Sequence, residues 1–205
     1  MGVDEEGGMP ASIRTGQGDQ RMRIVAGKHA DRRLTSPGKR IRPTAESVRD
    51  RWLTRLEEDL PDARVLDLFA GSGALGLEAL SRGAKCVDFV ENGPQALHSL
   101  KANVAALREK KRTRIFKRDA IPFTEALEEG CYDIAFVDAP YGSKKLDRIV
   151  NHWAGCQFAR VLGVEHSRDQ VLPHPELRGR TRFDGDTGVT IYRADVRRKR
   201  IRSPV

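Results

Sequence analysis

The sequence contains few cysteines, and none is spaced for a metal site or a disulfide framework. Its three cysteines, Cys86, Cys131 and Cys156, lie far apart among 205 residues. Neither a CxxC pair nor a Cys/His ligand pattern occurs, and the five histidines form no ligand pattern either. Small secreted domains rely on an even-numbered cysteine framework, which this chain lacks. We therefore expect reduced, buried thiols and no metal.

Long apolar runs are also missing. Hydrophobic residues make up 39% of the chain, enough for a core, yet no run approaches the roughly 20 residues of a membrane span. Residues 1–21 are rich in glycine and acidic residues and carry no apolar segment of the signal-peptide kind. We expect a disordered leader over residues 1–21 and a cytoplasmic, monomeric protein without a membrane partner.

Positive charge is in excess, and it is concentrated towards both ends of the chain. The net charge is +8. Between Arg21 and Arg55, eleven Lys or Arg residues stand against three acidic residues, and the tail over residues 195–205 is again basic. A solvated basic surface would have the same composition. Two basic clusters on either side of a balanced middle nevertheless favour a polyanionic partner such as nucleic acid.

Apolar periodicity divides the chain into a basic extension and a core domain. Within residues 22–60 we predict a hairpin, from strands at 22–26 and 32–36, and a helix that begins at Thr44 and continues towards Leu60. Residues 61–194 alternate between buried strands and helices, which predicts an α/β domain with a doubly wound, mostly parallel sheet. The predicted parallel strands are Val65–Phe69, Cys86–Glu91, Arg114–Arg118, Asp133–Asp138 and Arg160–Glu165. An antiparallel hairpin over residues 181–194 follows.

A glycine-rich turn follows the first strand of this domain. The segment Asp67-Leu-Phe69-Ala-Gly71-Ser-Gly73-Ala-Leu-Gly76 lies between a predicted strand and a predicted helix. Gly71 and Gly73 let the backbone turn tightly and approach a ligand. Gly76 lets the helix pack closely on its strand. We expect Asp67, Phe69, Gly71 and Gly73 to contact a cofactor.

Acidic residues elsewhere indicate which cofactor this turn binds. Glu91 ends the second strand, where its carboxylate can accept both ribose hydroxyls of an adenosine group. NAD and S-adenosylmethionine both fit so far. A carboxylate at Asp67 would repel a pyrophosphate but can orient a cationic amino-acid group. Asp119 and Ala120 follow the third strand, where the carboxylate can meet an adenine amino group. These features favour S-adenosylmethionine.

The tetrapeptide Asp138-Ala139-Pro140-Tyr141 ends the fourth strand, at the edge where open α/β sheets bind ligands. It resembles the (D/N)PPY motif of amino-methyltransferases, although a strand-ending turn would also use Asp and Pro. An exocyclic base amine is a poor nucleophile because its lone pair is delocalised into the ring. The Asp138 carboxylate and the Ala139 carbonyl can accept its hydrogens, and Tyr141 can stack on the base. We expect these four residues to be catalytic.

Taken together, these segments resemble the RsmD-type methyltransferases of bacterial 16S rRNA. The resemblance runs from Met22 to Tyr192 and is closest over Asp67–Ala84, with Asn103 and Val164–Ser167 also fitting. It implies a Rossmann-like fold with a seven-stranded sheet and methyl transfer from S-adenosylmethionine to N2 of a guanine in the small ribosomal subunit. Ala139 departs from the motif, which has proline there. The resemblance also implies RNA contacts by the basic extension, for which we select Arg32, Arg33, Arg42, Thr44 and Arg49.

Other functions share parts of this pattern. Enzymes with related motifs methylate adenine N6 in DNA or in other RNA, or a glutamine side chain in a protein. The two basic clusters argue against a protein amide, and so short a chain has no evident DNA-recognition domain. A nicotinamide oxidoreductase would need a hydride-site acid, which is not apparent. A noncatalytic RNA-binding assembly factor stays open because of Ala139.

The basic extension yields a prediction about salt. RNA affinity should fall steeply with ionic strength, because each phosphate contact displaces condensed counterions. Removing the charges of Arg32, Arg33 and Arg42 should flatten the plot of log affinity against log salt by about 0.7–0.9 for each phosphate that the protein no longer neutralises. Binding titrations at several salt concentrations measure this slope. An unchanged slope would place the RNA elsewhere.

Overall fold

The computed structural model describes residues 22–36, 46–177 and 179–194, and they form one seven-stranded sheet flanked by helices. The strands are β1 (Arg64–Leu68), β2 (Cys86–Glu91), β3 (Thr113–Lys117), β4 (Tyr132–Val137), β5 (Ala159–Ser167), β6 (Arg180–Asp184) and β7 (Thr187–Arg193). The helices are α1 (Glu46–Thr54), α2 (Ala74–Ser81), α3 (Pro94–Ala106), α4 (Ala120–Glu125) and α5 (Lys145–Cys156). Single 3₁₀ turns occur at Gly27–His29, Lys110–Arg112 and Pro175–Leu177.

The strand order is β3-β2-β1-β4-β5-β7-β6, which confirms the predicted fold class. Strands β1 to β5 pair in parallel, whereas β7 runs antiparallel to both β5 and β6. The chain order reverses between β1 and β4, because β2 and β3 lie on one side of β1 and the later strands lie on the other. Open α/β sheets bind ligands at such a switch point, outside the carboxyl ends of the strands.

The parallel register aligns the carboxyl ends of four strands. Leu68 of β1 lies opposite Val90 of β2 and Val137 of β4, and Val137 lies opposite Val164 of β5. One residue further along, the chain has Phe69, Glu91, Asp138 and Glu165. We call these four residues the edge row. Neighbouring strands are about 4.8 Å apart, so the register brings residues from four distant segments to one edge.

Each face of the sheet buries its own hydrophobic core. One core packs α1, α2, α3 and residues 22–36 against the sheet, and Trp52, Leu53 and Phe89 are among its fully buried side chains. The other packs α4 and α5 against the opposite face, around Trp153 and Phe158. Strands buried on both faces explain why their sequences are continuously apolar rather than alternating.

Residues 22–36, here called the N-terminal hairpin, are anchored on the domain by a buried carboxylate. Glu78 of α2 is inaccessible to solvent and accepts hydrogen bonds from the backbone N–H groups of Val25 and Ala26, each at 2.8 Å. Its oxygens also lie 3.5 Å from Arg49 Nε of α1 and 3.1 Å from Arg82. A single carboxylate therefore joins the hairpin, α1 and α2.

Two further groups of polar contacts hold this hairpin, one at its tip and one near Thr35. At its tip, the buried Glu109 carboxylate accepts hydrogen bonds from His29 Nε2 at 2.6 Å, Lys28 Nζ at 3.3 Å and Arg112 Nε at 2.7 Å. Arg112, followed by His29 and Lys28, lowers the pKa of Glu109 to about 2. At the other end, the Asn103 side chain pairs with the backbone N–H and C=O of Thr35.

Several predicted boundaries were wrong, for identifiable reasons. The predicted hairpin strands are reduced to one antiparallel bridge, Arg23 to Arg33, because their backbone groups bond to α2 and α3 as well. Helix α1 ends at Thr54, although Leu60, which fitted the helical pattern, is still buried. Helix α4 begins at Ala120, where the Asp119 side chain caps its first turn by accepting the Ile121 N–H. Thr44, the predicted start of α1, lies outside the described residues.

In the described ranges, no helix is both long and apolar enough to cross a membrane. The leader at residues 1–21 and the basic tail at residues 195–205 lie outside those ranges. The three cysteines are unpaired and partly buried.

We predict that Glu78→Gln lowers the free energy of unfolding by about 3–5 kcal/mol, because it leaves the buried Arg49 charge without its partner. Urea denaturation of both proteins measures the difference. The control is Glu57→Gln, an exposed carboxylate after α1, which should change stability by no more than about 0.5 kcal/mol. Equal effects of the two substitutions would contradict the anchoring role of Glu78.

Candidate active site

The glycine-rich turn between β1 and α2 has three residues with positive φ, a region that glycine adopts without steric cost. Phe69, Gly71 and Gly73 have φ values of 57°, 57° and 79°. A Cβ at Gly71 would meet only the Phe69 carbonyl oxygen, at 3.9 Å, so the surface above it is open to a ligand. A Cβ at Gly73 would instead lie 2.3 Å from Leu100 Cδ1, so the turn packs tightly on α3.

Asp67 supports this turn from beneath. Its side chain, buried on β1, accepts a hydrogen bond from the Gly76 N–H at 2.9 Å. Gly76 is the third residue of α2, so Asp67 satisfies an N–H group that lacks an intrahelical partner. Burial raises the pKa of Asp67 well above its usual range. The Gly76 hydrogen bond lowers this pKa, and the charges of Asp138 and Glu91 raise it further. A Cβ at Gly76 would lie 2.5 Å from Phe89, which explains the third glycine of the motif.

Glu91, at the end of β2, braces the same turn from the side. One carboxylate oxygen accepts the Gly71 N–H at 2.8 Å, and the other accepts the N–H groups of Asn92 and Gly93 at 2.8 and 2.7 Å. The side chain is only partly exposed. A carboxylate has about four acceptor sites, so three backbone donors leave capacity for a further hydroxyl donor.

Asp119 and Ala120 lie beyond β3 on the same side of the sheet. Asp119 is exposed and caps α4 by accepting the Ile121 N–H at 2.9 Å, while Ala120 is buried under it. Across the turn, Lys145 Nζ lies 5.6 Å from the centre of the Phe69 ring. Asp119 and Ala120 follow Lys117, which pairs with Glu91 at the carboxyl end of β2.

The tetrapeptide Asp138–Tyr141 forms a tight turn after β4. Asp138 is partly exposed at the carboxyl edge, and Ala139 is buried behind it. The Pro140 carbonyl accepts the Ser143 N–H at 3.3 Å and the Ser143 hydroxyl at 2.7 Å, which closes the turn. Tyr141 consequently turns back towards β5 with 45% of its surface exposed.

The hydroxyl of Tyr141 is held by two residues that the sequence analysis did not select. It donates to Glu165 Oε1 at 2.8 Å and lies 3.2 Å from Thr187 Oγ1. Burial raises the pKa of Tyr141 to about 12, and the charges of Glu165 and Asp138 act in the same direction. Glu165 was visible only as part of the segment Val164–Ser167, and Thr187 carried no signal in the sequence.

The predicted RNA-binding residues fall into three groups. Arg32 and Arg33 are exposed on the N-terminal hairpin, with Arg32 Nη2 donating to the Ala106 carbonyl at 3.1 Å. Arg42 and Thr44 lie outside the described residues. The prediction for Arg49 was wrong, because its side chain has no solvent exposure and pairs with Glu78. A charged residue is usually expected on the surface, but Arg49 lies on the buried face of α1 and cannot contact RNA.

Two surface cavities lie away from the edge row. One, of about 340 Å³, lies between α3 and β3 and is lined in part by Lys101 and Lys110. The other, of about 300 Å³, lies beside β6 and is lined in part by His166, His174 and Phe183. Among the described residues, no group of three or more His, Cys, Asp or Glu side chains could hold a metal ion.

The sheet order, the glycine turn after β1, the acidic end of β2 and the tetrapeptide after β4 together define a Rossmann-like fold of the methyltransferase class. The chain belongs to the family described as Conserved hypothetical protein 95, whose pattern matches residues 22–191. The family expected from the sequence is thereby confirmed, since relatives in it are named as small-subunit rRNA methyltransferases.

Three proteins illustrate the similarity. The Bacillus subtilis protein YlbH is 31% identical over 181 residues, which cover 84% of this chain and 98% of that protein. Ribosomal RNA small subunit methyltransferase D of Escherichia coli K12 is 36% identical over 137 residues, covering 65% of this chain and 67% of the relative. The solved structure of yhhF from Escherichia coli has a TM-score of 0.73 and 30% identity, covering 85% of this chain and 98% of that one.

The bracing role of Glu91 yields a prediction for the unliganded protein. Hydrogen bonds to a charged group are worth about 1.5–3 kcal/mol, so Glu91→Gln should speed hydrogen exchange at the Gly71 and Gly93 amides about 10- to 100-fold. Exchange measured by NMR at single amides tests this. The control Glu125→Gln, an exposed residue of α4, should leave both amides unchanged. Unaltered protection in Glu91→Gln would mean that the turn is ordered without its carboxylate.

Proposed function

We propose that this protein transfers a methyl group from S-adenosylmethionine to the exocyclic N2 of a guanine in 16S rRNA of the small ribosomal subunit. The single observation that carries the proposal is the edge row. It sets Glu91 and Phe69, which begins the glycine turn, beside Asp138, and Tyr141 follows Asp138 in the chain. The relatives named as small-subunit rRNA methyltransferases support the same reaction and substrate.

The charge of the site suits this cofactor. Asp67, Glu91 and Asp138 lie near enough for the charges of the latter two to raise the pKa of the first. S-adenosylmethionine has a sulfonium and an ammonium group, and an acidic edge attracts both, whereas it would repel the pyrophosphate of a dinucleotide. The open surface over Gly71 allows close approach to the backbone. The residues therefore fit S-adenosylmethionine better than NAD.

Each residue has a separate part in binding. Glu91 would accept a ribose hydroxyl at its remaining acceptor site. Asp119 and Ala120 would border the adenine, and Phe69, Gly71 and Gly73 would face the amino-acid portion. Asp67 would act through the turn that it caps. When bound, S-adenosylmethionine supplies an activated methyl group with a neutral thioether as leaving group.

Asp138 and Tyr141 would orient the base for this transfer. The Asp138 carboxylate and the Ala139 carbonyl accept hydrogen bonds from the two N–H groups of the amine. This geometry directs the nitrogen lone pair towards the methyl group. As the nitrogen gains positive charge, the carboxylate stabilises it, and the methylated nitrogen then releases one proton to solvent. Tyr141 provides an exposed ring on which the base can stack. Such positioning lowers the activation barrier by several kcal/mol, out of the about 7–11 kcal/mol that orienting reactants can supply.

The RNA would reach the site from the exposed basic residues. Arg32 and Arg33 are on the surface, and Arg51 of α1 has 67% of its side chain exposed while pairing with Asp184. Arg42 and Thr44 belong to the same proposal on the sequence alone. A phosphate backbone crossing this surface would bring its target base to the carboxyl edge.

The decisive assay uses methyl-labelled S-adenosylmethionine and small subunits from cells that lack this modification. We expect label in 16S rRNA, recovered as N2-methylguanosine. Asp138→Ala should lower turnover at least about 100-fold, because it removes the acceptor that orients the amine and stabilises its developing charge. Calorimetry should show that this variant still binds S-adenosylmethionine. Cofactor binding without label in the wild type would contradict the proposed substrate and favour a noncatalytic RNA-binding factor.

A further inference from the structure

Glu165 lies beside Asp138 at the edge where the base must sit. Val137 of β4 pairs with Val164 of β5, so the register carried one residue further sets Asp138 next to Glu165. Residues in register on neighbouring parallel strands are about 4.8 Å apart and share a face of the sheet. Glu165 continues β5, since that strand extends to Ser167. Two carboxylates therefore stand side by side at the carboxyl edge.

Tyr141 connects the two carboxylates through one ring. Its hydroxyl donates to Glu165 Oε1 at 2.8 Å, and it follows Asp138 by three positions in the chain. The ring is therefore held at both ends, by its backbone next to Asp138 and by its hydroxyl at Glu165. A base stacked on this ring presents its polar edge to both carboxylates.

Guanine alone among the common bases matches two adjacent acceptors. Its N2 amine lies next to the ring N1–H, so the edge offers neighbouring donors. The N6 amine of adenine and the N4 amine of cytosine each lie next to a ring nitrogen that is an acceptor. An ionised carboxylate only accepts hydrogen bonds. Facing an acceptor, Glu165 would be buried opposite another lone pair, which is costly.

We propose that Glu165 determines base specificity by accepting the N1–H of the target guanine while Asp138 holds its N2 amine. This inference rests on the proposed function and identifies the group that selects guanine at the same site. Glu165 is 6% exposed, and a site that is buried around a substrate N–H rejects analogues without it far more strongly than an open one. Its carboxylate has capacity for the Tyr141 hydroxyl and the base together.

The test uses small subunits assembled from 16S rRNA in which the target guanosine is replaced by 2-aminopurine riboside. This analogue keeps the 2-amino group but has no hydrogen on N1. We expect kcat/KM of the wild type to favour guanosine by about 100-fold or more. Glu165→Gln should reduce the preference for guanosine over 2-aminopurine riboside to within about threefold, because the glutamine NH₂ group can donate to the unprotonated N1 of the analogue.

Two controls separate specificity from structure. Glu125→Gln changes an exposed carboxylate of α4 outside the edge row, so its preference for guanosine should stay near that of the wild type. Calorimetry should show that all variants bind S-adenosylmethionine alike. An unchanged preference in Glu165→Gln would overturn the role of Glu165. Absence of methyl transfer to guanosine by the wild type would instead overturn the proposed function.

Discussion

The buried charge of Glu78 is the constraint on which the arrangement of the N-terminal part depends. A carboxylate without solvent exposure is costly unless charges and hydrogen bonds compensate it, and here two arginines and two backbone N–H groups do so. Because these partners come from the N-terminal hairpin, α1 and α2, none of the three can shift without exposing an unpaired charge. Helix α2 also begins at the glycine turn. The same helix thus supports the proposed cofactor turn at one end and the basic extension along its side.

A second constraint is the register of the parallel strands. Leu68, Val90, Val137 and Val164 align across the sheet, and the residues that follow them make the edge row. Packing on both faces holds this register, because a slip by one residue would turn every strand side chain into the opposite core, whose close packing it does not match. The chemistry of the site therefore depends on core packing well away from it. Asp67 shows the connection directly, since this strand residue caps the helix that follows the turn.

Local pattern was enough to predict most of the candidate site. The glycines, Glu91 and Asp138–Tyr141 could be found because each is next to a strand end, where short-range signals are strong. Glu165 and Thr187 could not be assigned in the same way, since their contact with Tyr141 joins residues 24 and 46 positions apart. Counting basic residues along the chain also overstated how many of them are exposed. Arg49 is buried, and the partly exposed Arg55 donates to the Val189 and Arg180 carbonyls.

The sequence by itself determined the alternation of strands and helices, the turn after β1 and the acidic and aromatic residues of the site. These follow from periodicity and from residue types whose chemistry is local. Only the tertiary structure decided which arginines stay exposed, how the extension is anchored and what holds Tyr141. These three features depend on contacts between segments far apart in the chain. A charged side chain can be buried only if the fold supplies a partner for it, and the local sequence does not show that partner.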